Sequence, residues 1–166
     1  MRPALLTVLV LVLSLLSGCG SVYVNIPRQP SDVAGHNPND GTVWRIEVAA
    51  MNHILQLRTE GGSYTLKLPE GTTQPNYDWV IARLPAGGNS WTQSGGFTPV
   101  YEIAAIYVRA AEGQVDVIRP APGSNSSGGQ LVSVYLTYGI DGWYVKRTRV
   151  WNIPVKEALK IAAPND

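Results

Sequence analysis

Cysteine is almost absent from this chain: Cys19 stands alone among 166 residues. A single thiol forms no intramolecular disulfide and no cysteine-rich zinc site, so neither kind of staple is expected. Histidine is scarce as well, with only His36 and His53, and their separation does not suggest a zinc pair. Charge is sparse at 15% of residues and nearly balanced, Lys+Arg 13 against Asp+Glu 12. Such a balance leaves no broad basic face for nucleic acid. Also missing are a phosphate loop of the G-x-x-x-x-G-K type and a G-x-S-x-G nucleophile elbow. The sequence therefore implies no cofactor, no metal and no catalytic set.

What is present begins at the N-terminus. Arg2 precedes an apolar run from Ala4 to Leu16, followed by the small residues Ser17 and Gly18. Charged, apolar and small, in that order, is the pattern of a secretory leader. The run is too short to span a bilayer. At 1.5 Å rise per residue it covers roughly 20 Å of a hydrocarbon core about 30 Å thick.

The four residues Leu16-Ser17-Gly18-Cys19 resemble the lipobox of bacterial lipoproteins. The resemblance implies cleavage before Cys19, a diacylglyceryl group on its sulfur and, in many bacteria, acylation of the new amine. The chemistry agrees with it: small residues let a peptidase reach the backbone, and a thiol is the side chain best suited to attack a lipid donor. The alternatives are an ordinary leader with an incidental cysteine, or a buried cysteine in a cytosolic protein. One acyl chain binds a membrane only marginally, whereas two or three hold a protein there firmly, at ~0.8 kcal/mol per buried CH₂. Gly20 follows the cysteine where an aspartate would signal inner-membrane retention. The resemblance thus favours the outer membrane in a two-membrane bacterial envelope. Cleavage also removes Arg2 and leaves basic side chains equal to the 12 acidic ones. The lipid itself is then the expected membrane contact, not electrostatic attraction to anionic headgroups.

Residues 1–18 read as the signal peptide, 19–41 as a lipidated flexible tether and 42–163 as one β-rich domain. The tether holds Pro27, Pro30, Gly35 and Pro38 and no lasting apolar period, which gives a mean reach of about 25 Å. A competing reading takes the alternation Val22, Val24, Ile26 as a short edge strand docked on the body. In the body, period-two runs are centred on Trp44–Val48, His53–Leu57, Tyr64–Leu68, Tyr77–Leu84, Tyr101–Ala110, Val115–Ile118, Leu131–Tyr138 and Trp143–Trp151. These predict a mainly β fold: a single antiparallel sandwich or partly open barrel of about eight strands. Asn152, Pro154 and the stripe Val155, Ala158, Leu159, Ala162 predict a short C-terminal helix.

One hairpin can be pursued further. A two-residue loop at Asp141-Gly142 would place Arg147 and Arg149 among core side chains, at a cost of several kcal/mol for each unpaired charge. A three-residue loop of Ile140, Asp141 and Gly142, with Gly142 left-handed, sets Arg147 opposite Tyr135 and Arg149 opposite Ser133. Val132, Val134 and Leu136 then face the core. The bulged register is expected. It collects Tyr135, Arg147, Arg149 and Trp151 on one accessible face. Guanidinium beside aromatic rings suits an anionic or sugar-like ligand, although the plainer role is that the arginines cover the rings. Trp91 and Phe97, set in a Gly-, Ser- and Gln-rich loop, form a second candidate surface for a glycan or an envelope protein. They would alternatively fold back to close one end of the sheet.

The functional expectation is a membrane-anchored envelope lipoprotein acting as a non-catalytic binding, scaffold or assembly module. The alternative is an envelope glycan hydrolase whose carboxylates, such as Glu47, Asp78 and Glu102, meet only in the fold.

Overall fold

The structure is a computed structural model, which describes Tyr23–Val24 and residues 37–58, 61–91, 99–121 and 129–162. The elements in chain order are β1 (Tyr23–Val24), α1 (Gly41–Gln56), β2 (Tyr64–Lys67), α2 (Gln74–Ile81), β3 (Gly88–Ser90), β4 (Val100–Arg109), β5 (Glu112–Pro120), β6 (Gly129–Gly139), β7 (Gly142–Val150) and α3 (Val155–Ala162). The fold is mainly β with a short C-terminal helix. Among the described residues one mixed sheet runs β3-β2-β4-β5-β6-β7, and β1 pairs with β4 off this path. The sheet is open, with β3 and β7 at its two edges.

Among the described residues no second sheet covers the core face. The runs at Trp44–Val48 and His53–Leu57, expected as two strands, are one helix. Val43, Ile46, Ala50, Met51 and Ile54 are all buried along α1, and their spacing follows the 3.6-residue period over the full helix. Alternation holds only within the short window Trp44, Ile46, Val48. The start is fixed by Asp40, whose side chain accepts from the Thr42 amide at 2.8 Å. The run at Tyr77–Leu84 is likewise helical. Pro75 sits in the first turn of α2, and Tyr77 and Val80 are buried three residues apart.

The expected all-antiparallel pairing also gives way at one end. β2 is parallel to both β3 and β4, and α2 lies between β2 and β3 in the chain as their crossover. From β4 to β7 every pairing is antiparallel, as expected. In β4 the register shifts between Ile103 and Ala105, leaving Ala104 as an extra residue. That change of phase lets Tyr101, Ile103, Ile106 and Val108 all join the core.

The main core lies between α1, α2 and one face of the sheet, where Val115, Val117, Val132, Val134 and Leu136 are buried. On the opposite face a smaller cluster joins Leu131, Trp151 and Ala158, with Ile118 and Leu159 packed against it. It seats α3, the helix expected from the apolar stripe, on the outer face over β5 and β6. No helix of the described residues is long and apolar enough to cross a membrane.

Gly113 fixes how closely α1 approaches β5. A Cβ there would collide with Ile46 Cδ1 and stand 3.3 Å from the Trp143 ring. Gly113→Ala is expected to cost about 1–3 kcal/mol in chemical denaturation through overpacking. Ile46→Val deletes the colliding methyl at a cost of its own of about 0.5–1.5 kcal/mol. The double variant should lose less than the sum of the two; strict additivity would show that the contact does not set the spacing.

Candidate functional site

The β6–β7 hairpin delivers the arginine register expected from the sequence by a different route. The chain turns at Ile140–Asp141 with Gly139 opposite Gly142, and Gly142 takes the left-handed conformation at φ 113°. The extra residue comes later. Leu136 pairs with Val145 and Tyr135 with Arg147, so Lys146 forms the bulge. Beyond it Ser133 faces Arg149, while Val132, Val134 and Leu136 point into the core.

The outer face therefore carries two cross-strand rows, Gln114-Tyr135-Arg147 and Asp116-Ser133-Arg149. The Arg147 guanidinium lies 4.2 Å from the centre of the Tyr135 ring, and that of Arg149 lies 3.7 Å from Trp151. The Trp151 indole N–H donates to Ser133 Oγ at 2.9 Å. At the β5 ends of these rows, Gln114 Nε2 donates to both Asp116 carboxylate oxygens, at 3.0 and 3.1 Å. Trp151 is only 5% exposed, which makes it a core residue of the α3 cluster more than an open platform. Both arginines are exposed, and neither forms an ion pair among the described residues.

Stacked cations recur elsewhere on the surface. Arg58 lies over Tyr64 and Arg83 over Trp79, at 5.1 and 3.6 Å from the ring centres. Covering aromatic rings is thus a habit of this chain, and stacking alone does not mark Arg147 and Arg149 as a ligand site.

Trp91, at the end of β3, remains 45% exposed; its amide donates to Leu66 O at 2.9 Å. Lys67 Nζ lies 5.6 Å from its ring and pairs with Glu102 at 2.8 Å. Phe97 and Cys19 lie outside the described residues, as does His36.

The three carboxylates weighed for hydrolysis do not converge. Glu102 lies between the core residues Tyr101 and Ile103 of β4 and so faces the outer side, beside Lys67. Glu47 is on α1, fully buried on the core side. Asp78 is exposed on α2 and accepts from Gln74 Nε2 at 2.8 Å. Among the described residues no group of three or more His, Cys, Asp and Glu side chains is placed to hold a metal.

Sequence reading missed a further exposed surface at the tip of the β6–β7 hairpin. Tyr138 is 47% exposed, Tyr144 57%, and Ile140 wholly so. Tyr138 meets Trp143 edge-on, with ring centres 5.3 Å apart. The available signal was the apolar and aromatic content of Tyr138-Gly139-Ile140-Asp141-Gly142-Trp143-Tyr144 around a turn, where polar residues are the rule.

No protein-family model, no curated protein and no solved structure matches this chain.

Two expected outcomes follow from these placements. Neither Glu47 carboxylate oxygen has a hydrogen-bond partner, and burial pushes its pKa well above the usual carboxylate range. The unfolded chain ionises this group near pH 4.3, while the folded one keeps the proton. Stability therefore falls as pH rises from that value toward the raised folded one. Glu47→Leu removes the slope: thermal melts should show it more stable than the parent by about 1–3 kcal/mol at pH 7 and by much less at pH 4. Equal differences at both pH values would contradict a protonated Glu47. On the outer face, Ser133→Ala orphans the Trp151 N–H and should cost about 1–3 kcal/mol. Arg147→Ala should cost no more than about 1 kcal/mol. The reverse ranking in denaturant titrations would make the arginine, not the indole, the structural member.

Proposed function

We propose that the chain is a bacterial envelope lipoprotein, held by acyl groups on Cys19, whose β-rich body is a non-catalytic binding or scaffold module. The observation that carries this reading is Leu16-Ser17-Gly18-Cys19 closing the apolar run, with the chain's sole thiol in the modified position. Charge neutrality supports it, because a body with as many basic as acidic side chains gains little from anionic lipid and relies on acyl chains for attachment. Gly20 after the cysteine favours the outer membrane where there are two.

For the binding role, the supporting features are Arg147 beside Tyr135 and Lys67 beside Trp91, two cation–ring pairs at opposite ends of the same outer face, with Arg149 exposed next to the first. Pairs of this kind suit a glycan or an acidic protein segment in the envelope.

Intact mass spectrometry of the protein extracted from membranes tests the anchor. The expected species begins at Cys19 and carries a diacylglyceryl group, with or without an amide-linked acyl chain. Cys19→Ser should accumulate with residues 1–18 attached and without lipid. An unmodified Cys19 in the parent protein, or a leader still in place, would overturn the reading. Crosslinking in native envelopes tests the body: Arg147→Ala with Arg149→Ala, or Trp91→Ala, should each lose a specific crosslinked product if that cluster carries the partner. Retention of every product in all variants would remove both clusters as binding sites.

A further inference from the structure

The chain enters β1 from one end of the sheet. Tyr23 pairs with Val108 and Val24 with Tyr107, antiparallel to β4. Tyr23 is therefore the end of β1 nearer the β4–β5 turn at Ala110–Ala111. That turn and the β6–β7 turn lie at the same end. Glu112 pairs with Thr137, and the Tyr138 amide donates to Ala111 O at 2.7 Å.

Cys19 stands four residues before Tyr23. At most ~3.6 Å per residue, its sulfur is tied within roughly 14 Å of this end of the sheet. Only residues 20–22 stand between Cys19 and β1. The same end presents the bare Ile140 and the half-exposed Tyr138 and Tyr144. About four inter-strand spacings, roughly 19 Å, separate β1 from β7.

We propose that the tip of the β6–β7 hairpin rests in the bilayer interface and, together with the acyl groups on Cys19, fixes the body end-on to the membrane. This rests on the lipoprotein reading above. Tyrosine is suited to the headgroup level, with an apolar ring and a hydroxyl that stays hydrated, and Ile140 supplies an apolar side chain with no other burial. Asp141 adjoins Ile140 and limits the tip to the headgroup region. The charges at this end, Arg109, Glu112, Asp141 and Lys146, balance, and Glu112 pairs with Lys146 at 3.4 Å. Apolar burial, not attraction to anionic lipid, is the driving term.

The test uses the full lipidated protein, purified from membranes and reconstituted into vesicles of phosphatidylethanolamine and phosphatidylglycerol. Because the Cys19 sulfur carries a thioether, a cysteine introduced by Ile140→Cys is the one free thiol and takes an environment-sensitive fluorophore. Lys156→Cys, exposed on α3, is the control. The label on the Ile140→Cys variant should show a blue shift, a several-fold gain in emission, and quenching by shallow but not deep spin-labelled lipids. All three should persist at high salt and be lost when Tyr138→Ser and Tyr144→Ser are added. The label on Lys156→Cys should stay water-like. Vesicle-bound protein with a water-like label at both sites overturns the docked orientation and leaves the anchor standing. Shielding at Ile140→Cys that disappears on diluting the protein at constant lipid assigns the tip to a second copy of the chain, and also overturns it. Protein that lacks lipid by mass and stays out of the vesicle pellet removes the anchor and the orientation together.

Discussion

At Gly113 nothing but backbone separates β5 from the Ile46 side chain of α1, and that contact sets the distance between the helical layer and the sheet. From this spacing follow the burial of Val115 and Val117 on one side of β5 and, by strand alternation, the placement of Gln114 and Asp116 on the other. β5 is consequently buried on both faces. The central strand of an open sheet is the position where that is least costly, since neighbours on each side satisfy its backbone. α1 substitutes for the second sheet of a sandwich, and it tolerates Glu47 inside only as a neutral acid. Nearby, Tyr77 is also held in its neutral form, by burial first, with its hydroxyl accepting from the Leu68 amide.

The outer face follows a different rule. α3 covers one end of it through Trp151 and Leu131, and the remainder is closed by long cationic side chains laid on rings. A guanidinium is weakly hydrated and planar, so it shields an aromatic surface while its N–H groups still face water. The sheet thus gains a dry side under helices and a wet side under arginines. Any partner meeting the wet side would encounter hydrogen-bond donors before apolar surface.

The C-terminal half was legible because each of its signals was local and redundant. Alternation in β6 ran over more than three residue pairs, and placing two charges in the core was costly enough to reject the wrong register. The stripe in α3 was announced on its N-terminal side by Asn152 and Pro154. The N-terminal half was not, since β-branched and aromatic residues at Trp44, Ile46 and Val48 satisfied a two-residue period over a window too short to exclude a helix. Only the longer series from Val43 to Ile54 separates the two. β3 is three residues of Gly, Asn and Ser, with no hydrophobic signature of its own, and exists because α2 returns the chain beside β2. Of the site residues, the Tyr135, Arg147, Arg149 and Trp151 constellation followed from register alone. The exposed tip did not, because placing the turn at Ile140 and Asp141 says nothing about whether another element covers the apolar residues around it.

The bulge at Lys146 also bears on the free edge of the sheet. β7 is the outermost strand, and a flat, regular edge would invite the same strand of a neighbour to continue the sheet. An irregular border carrying Lys146, Arg147 and Arg149 repels its own image and breaks the spacing of its hydrogen-bonding groups. The geometry that turns the arginines outward thereby also makes this edge a poor template for strand pairing with a second copy.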